Sequence, residues 1–169
     1  MFHVRPIAQD AVPRALQRAE RYRLLNEPRQ AESICLDVLA AAPGNQPALV
    51  CLILARTDMF ADDEARADEV RPLLDGLTDA FERRYYAGVI EERWGKHLLS
   101  SGYPPEVAYG FVRQAMHHFE AAEPLAPDAN DDAVLRWNTC VRMIEQYALG
   151  EAAPHDDADE SFDDDVPQR

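Results

Sequence analysis

The sequence predicts an all-α protein, and three observations carry that prediction. Ala, Leu, Glu, Gln and Arg, the strong helix formers, fill segment after segment. Apolar residues recur at three- and four-residue spacing, the period of a helix buried along one side. Prolines and glycines cut this text into pieces, and no run of alternating β-branched residues falls between them.

The pieces follow in order. The stretch from Val12 to Asn26, VPRALQRAERYRLLN, sets Ala15, Ala19, Tyr22 and Leu25 on one stripe, with Asp10 ahead of it as a cap. Pro28 opens a second helix, where a first-turn proline gives up a donor that had no partner. That helix carries Ala31, Ile34, Cys35, Val38 and Leu39 and ends before APGN. Pro47 opens a third, from Gln46 to Phe60. A fourth is expected from Asp63 to Leu74 with Ala67, Val70 and Leu74 inward, its end distorted or shortened by Pro72. Gly76 then breaks the chain, and Thr78 is placed to cap a long fifth helix, TDAFERRYYAGVIEERWGKHLLSS. Gly102 and the pair Pro104, Pro105 precede a sixth, with the stripe Val107, Phe111, Ala115, Phe119 and Ala122. Asn130 or Asp131 caps a seventh, DAVLRWNTCVRMIEQYAL, which stops at Gly150.

A chain of 169 residues, 47% hydrophobic and 28% charged, suffices for one substantial core. We expect a helical domain over residues 1–150 and a disordered acidic tail over 151–169, where eight acidic residues face Arg169 alone. The tail reads as a solubilising end, or as a competitor for a basic surface, its own or a partner's. A net charge of −14 argues against a nucleic-acid surface, which needs clustered Lys and Arg. Nothing approaches the ~18 apolar residues of a membrane span, and the opening MFHVRPIAQD lacks the apolar core of a signal peptide, so a cytoplasmic location is expected. Cys35, Cys51 and Cys140 are odd in number and form no CxxC pair, which fits reduced core thiols.

Internal repetition narrows the architecture. In AESICLDVLAAAPGN (31–45) and AMHHFEAAEPLAPDAN (115–130), an Ala is followed after four residues by a larger apolar side chain (Cys35, Phe119). A small one comes after seven (Val38, Ala122), and Pro comes after twelve (Pro43, Pro127). On these residues the chain resembles the tetratricopeptide repeat (TPR), a 34-residue helix–turn–helix unit. Residues 12–45 match at Ala19, Tyr22, Ala31, Val38 and Pro43, with Ala15 in place of the tryptophan-type residue. A second unit, from Gln46 to about Asp75, keeps Leu49, Leu52 and Ala65 or Ala67, but has Pro72 where a small residue belongs. A third, from Thr78 to Asn130, has an overlong first helix in which Gly88 is the close-packing glycine. Pro43 and Pro127 stand 84 residues apart, about 16 more than two 34-residue units require. The seventh helix takes the place of a cap.

The resemblance implies about three repeats wound into a right-handed superhelix, and a scaffold whose concave groove receives a peptide or a partner's helix. Carried over, the groove positions are Leu16, Glu20 and Arg23, then Val50, Leu54 and Thr57, then Tyr85, Val89 and Arg93. The positions that clamp a C-terminal carboxylate in the best-known class fall on Leu16, Glu20, Cys51, Glu82 and Tyr86, which supply no cation. An apolar or basic partner helix therefore fits better than a chaperone tail. The contrasting expectation is a small ligand sensor or enzyme with a pocket between the fifth and seventh helices.

Candidate chemistry is sparse. His117 and His118 are adjacent, so on a helix they diverge by ~100° and hold no metal together. Cys140 would need one of them as a base, and no oxyanion glycines or third member are visible. Seven scattered glycines form no phosphate loop. We accordingly expect no catalytic residues, cofactor or metal, and neither nucleic acid nor membrane as partner. The EERW stretch, 91–94, with Arg83 and Arg84, reads as a solvated charged face, or with Tyr85, Tyr86, Arg93 and Trp94 as an aromatic–arginine hot spot. Arg136 and Asn138 are explained by neither capping nor core and stand as a candidate polar site.

Overall fold

The structure, a computed structural model, describes residues 2–62 and 65–150. Their regular secondary structure is entirely helical: α1 (Val12–Leu24), α2 (Pro28–Ala41), α3 (Gln46–Asp58), α4 (Ala67–Val70), α5 (Ala80–Ser100), α6 (Pro105–Ala122) and α7 (Asp132–Tyr147). Shorter 3-10 turns extend or join them at Gln9–Ala11, Met59–Asp62, Arg71–Gly76 and Glu123–Leu125. The all-α expectation holds, and no strand occurs among the described residues. The acidic segment 151–169 and the start expected for the fourth helix at Asp63 lie outside them.

Local chemistry accounts for the boundaries. Pro13, Pro28, Pro47 and Pro105 sit in the first turns of α1, α2, α3 and α6, where a missing N–H is harmless. The end of α1 comes where Asn26 turns left-handed at φ 58° and the Glu27 N–H donates back to the Tyr22 carbonyl at 2.9 Å. This turn carries Leu25 off the α1 stripe, so it is 61% exposed rather than buried as expected. The Asn45 side chain caps α3 by accepting the Ala48 N–H at 3.0 Å.

The fourth helix is shorter than the sequence suggests. A single α turn, Ala67–Val70, is followed by a 3-10 stretch, because Pro72 can neither donate to the ladder nor tolerate the preceding carbonyl. Thr78 does not cap α5. The Gln46 carboxamide oxygen holds it, accepting from its N–H at 2.8 Å and its hydroxyl at 3.1 Å, while the Gln46 amide group donates to the carbonyls of Gly44 and Gly76. The cap is Asp79, whose Oδ1 accepts the Glu82 N–H at 2.8 Å. Asp79→Ala should cost about 1 kcal/mol, read from the urea midpoint, while Thr78→Val should cost less because Gln46 keeps its other bonds.

Consecutive helices pack on one another, α1 on α2, α2 on α3, α5 on α6 and α6 on α7, with α3 meeting α5 across a thinner seam. Four adjoining cores result, the smallest made by Val12, Val38 and Ala48. Ala19, Ala31, Cys35, Cys51, Leu52 and Ala55 join α1, α2 and α3. Leu49, Ile53, Phe60, Val70, Leu77 and Ile90 fill the space between α3, the irregular segment and α5. Phe81, Val89, Val112, Phe119, Cys140 and Met143 lock α5, α6 and α7.

The α5–α6 seam is the closest. A Cβ added at Gly88 would stand 2.5 Å from the Phe119 ring, which makes Gly88 the close-packing glycine the sequence marks. Gly95, two turns on, lies against the Ala108 carbonyl. On the facing helix Ala108, Ala115 and Ala122 are fully buried, seven residues apart. Small residues occupy the seam, so Val107, expected on the buried stripe, is 43% exposed and Phe111 is half-buried, while Ala108 and Val112 lie inside.

Candidate functional site

Helices α1, α3 and α5 share one face, and a depression of about 350 Å³ opens there. Its lining combines Glu20 and Arg23 of α1 with Pro47, Val50, Cys51 and Leu54 of α3 and Glu82 of α5. Its apolar lining comes from α3, and its two acids, Glu20 and Glu82, come from α1 and α5. Burial, and then the charge of Asp79, push the Glu82 carboxyl above the usual range, as expected for a side chain leaning into the depression.

Of the groove positions read from the sequence, Glu20, Arg23, Val50 and Leu54 line this depression. The others lie elsewhere. Leu16 is half-buried against the core of Val12, Val38 and Ala48. Thr57 is 3% exposed, and Val89 is fully buried between α5 and α6, so neither presents a surface to a partner. Tyr85 is half-buried, stacked on Phe81 with centroids 5.5 Å apart and set edge-on to Tyr86. Two of the three expected positions on α1 and two of the three on α3 line the depression, and none of those on α5 does; there Glu82 lines it instead. Glu20, Cys51 and Glu82, three of the positions mapped to a carboxylate clamp, do line it, with two acids among them.

Arg23 and Arg93 converge on one acceptor, Asp58 at the end of α3. Arg23 Nε donates to Oδ2 at 2.7 Å, and Arg93 Nη1 donates to Oδ1 and to Thr57 Oγ1, the latter at 2.7 Å. Each cation is about three-quarters buried and engaged, which ties α1, α3 and α5 together beside the depression. Sequence reading had no reason to single out Asp58, since only the fold brings residues 23 and 93 to it.

The EERW stretch is not a solvated face. Glu91 and Glu92 are 4% and 5% exposed, and each is met by an arginine from another element. Arg71 grips Glu91 with two bonds, Nε to Oε1 at 2.6 Å and Nη2 to Oε2 at 2.8 Å. Arg136 reaches Glu92 from α7 at 3.1 Å and 3.4 Å. Burial lifts the Glu92 carboxyl above the usual range, and the Arg136 charge works against that rise. Arg136 is thus the counter-ion of a buried acid at the α5–α7 junction, while Asn138 is half-buried on α7. Trp94 packs edge-on to Phe60 with Arg66 over its ring at 5.7 Å, so the hot-spot residues Tyr85, Tyr86, Arg93 and Trp94 are all half-buried and engaged within the fold.

Neither candidate for chemistry assembles. His117 is exposed, and among the described residues no three His, Cys, Asp or Glu side chains are grouped to hold a metal. Cys140 is fully buried, its thiol pushed up to about 12 first by burial and then by the charge of Glu92; no histidine is among the groups acting on it. No helix among the described residues is long and apolar enough to cross a membrane. Compared with protein-family models, curated proteins and solved structures, the chain matches none.

Proposed function

We propose that the chain is a TPR-like scaffold that receives an amphipathic, basic helix of a partner protein in the depression between α1, α3 and α5. The observation that carries this reading is the distribution of charge there. Pro47, Val50 and Leu54 offer an apolar floor, Arg23 is committed to Asp58, and Glu20 and Glu82 are left as the charges facing the opening. A helix with apolar anchors at i, i+3 or i+4 and i+7 and lysines or arginines beside them complements that pattern. Nearest-neighbour stacking of α1–α3 and of α5–α7, with small residues at the close approaches, supports the repeat architecture.

The test is affinity capture from the native cell with the wild-type chain and with the double variant Glu20→Lys, Glu82→Lys. Both positions keep solvent contact, so the fold should survive by circular dichroism. Recovery of the captured partner should fall by at least about tenfold, the effect of ~1.4 kcal/mol. Unchanged recovery would overturn the assignment of this face.

A further inference from the structure

A second depression, of about 520 Å³, opens along α5 and shares no lining residue with the first. Four elements meet there. Ala80, Arg83, Arg84 and Ala87 form one stripe of α5, spaced as neighbours on a helical face, so that face presents two cations between two small residues. Leu74 and Asp75 come from the 3-10 stretch Arg71–Gly76, His118 from α6 and Leu125 from the turn Glu123–Leu125. The volume falls within the ~300–1,000 Å³ usual for small-molecule sites.

Polar groups are left unmatched in it. Arg71 and Arg136 reach carboxylates on this same helix, whereas the guanidinium groups of Arg83 and Arg84 have no ion-pair or hydrogen-bond partner among the described residues. Asp75 is the acid of the lining and pairs with neither. His118 adds a third donor. Burial pushes its imidazole below the ordinary range, Glu91 opposes that shift, and Arg84, His117 and Arg71 add to it, so the ring is neutral at pH 7 and carries one hydrogen. That hydrogen belongs on Nε2, because Nδ1 is buried with no hydrogen-bond partner among the described residues and a donor there would go unsatisfied. Leu125 is 46% exposed, an apolar side chain that the fold leaves uncovered.

We infer that this depression binds a small organic phosphate monoester, its phosphate held by Arg83, Arg84 and His118 and its organic body lying against Leu74 and Leu125. The donors select the phosphate. A carboxylate has two oxygens and is satisfied by one guanidinium fork, which would leave the other arginine and the imidazole idle. A phosphate monoester brings three terminal oxygens and nearly two negative charges, enough for both arginines and the Nε2–H. Both guanidinium groups sit on long, exposed stems that can swing to one phosphate. Longer polyanions are disfavoured, since a chain of net charge −14 repels whatever extends beyond the two arginines. The site uses no residue of the depression between α1, α3 and α5, so it stands or falls separately from the scaffold reading.

Phenyl phosphate is the probe, titrated into the full-length protein at about pH 7.5, where the ester is a dianion, and followed by calorimetry and by the ring signals of His118 in NMR. Inorganic phosphate, which lacks the organic body, and benzoate, which lacks the third oxygen, are titrated in parallel. Phenyl phosphate should saturate one site with a Kd below about 1 mM and shift the His118 ring, and each of the others should bind at least about fivefold more weakly. Arg83→Ala and Arg84→Ala alter exposed side chains, so both variants should fold by circular dichroism, and each should weaken phenyl phosphate at least about fivefold. Arg142→Ala, which removes the same charge from an exposed position of α7, should leave it unchanged. The inference is overturned if phenyl phosphate fails to saturate below about 10 mM or leaves the His118 ring unmoved. It is equally overturned if Arg142→Ala weakens binding as much as Arg84→Ala, which would mean diffuse attraction, or if benzoate binds as tightly. Equal binding of inorganic phosphate would overturn the contact with Leu74 and Leu125. The wild-type titrations decide even if a variant folds poorly.

Discussion

Arg136→Ala destabilises the protein by about 2–3 kcal/mol at pH 7, because it strands a buried carboxylate; the figure sits at the low end for buried pairs since the guanidinium is partly solvated. Glu92 has a side chain 6% exposed and Arg136 one 32% exposed, so the acid is the partner left without water or its hydrogen-bonded cation, with Arg93 and Lys96 acting only through their charge. The pH dependence follows from the direction of its shift. Burial already holds the folded Glu92 carboxyl above its ordinary range, and removing Arg136 removes the attraction that opposes this. A carboxyl raised on folding contributes in full below its unfolded value of about 4.3 and loses that contribution as the pH climbs through the folded value. The deficit of the variant should therefore widen from about pH 4.5 toward neutrality and narrow in acid. Urea midpoints measured across that range check it, and a deficit independent of pH would show that Arg136 acts by packing alone. Adding Glu92→Gln to the variant should restore much of the loss at pH 7.

Gly88→Ala should destabilise by about 1–2 kcal/mol, although alanine is the better helix former by up to ~1 kcal/mol. The new methyl would stand 2.5 Å from a Phe119 ring that is fully buried in the core of α5, α6 and α7. Gly95→Ala makes the control. Its nearest contacts are 3.2 Å, so the overpacking is mild and close to balanced by helix propensity. Urea midpoints should rank Gly88→Ala well below Gly95→Ala, and Phe119→Leu in the Gly88→Ala background should recover part of the difference. Equal midpoints for the two alanine variants would mean that α5 and α6 slide apart without cost.

Much of this fold was legible along the chain, and what was not has a common cause. Pro28, Pro47 and Pro105 mark helix starts by a rule local to one turn, and α2, α3 and α6 begin where that rule puts them. Gly88 was legible because the repeat resemblance calls for a close-packing glycine within the long fifth helix. The fourth helix was overextended because three apolar residues at helical spacing outweighed one proline, and backbone chemistry prevailed. The paired charges were misread for a different reason. Glu91 and Glu92 look like a solvated face until Arg71 and Arg136 arrive from elements 20 and 44 residues away. Of the positions the repeat scheme marks, Glu20 and Arg23 of α1 and Val50 and Leu54 of α3 line the depression. The overlong α5 is rotated relative to that scheme, burying Val89 and turning Glu82 outward.

The three arginine–carboxylate ties that reach α5 change how the molecule should come apart. A chain of stacked helices in which each touches only its neighbours opens piecemeal, from either end, with separate free energies for separate segments. Here the seam between α3 and α5 is thin, yet Asp58 of α3 and Arg71 of the preceding turn both fasten onto α5, and α7 fastens onto it from the other side. These ties span the place where the stack would otherwise divide. In native-state hydrogen exchange, amides of α3, α5 and α7 should therefore open together rather than as separate segments.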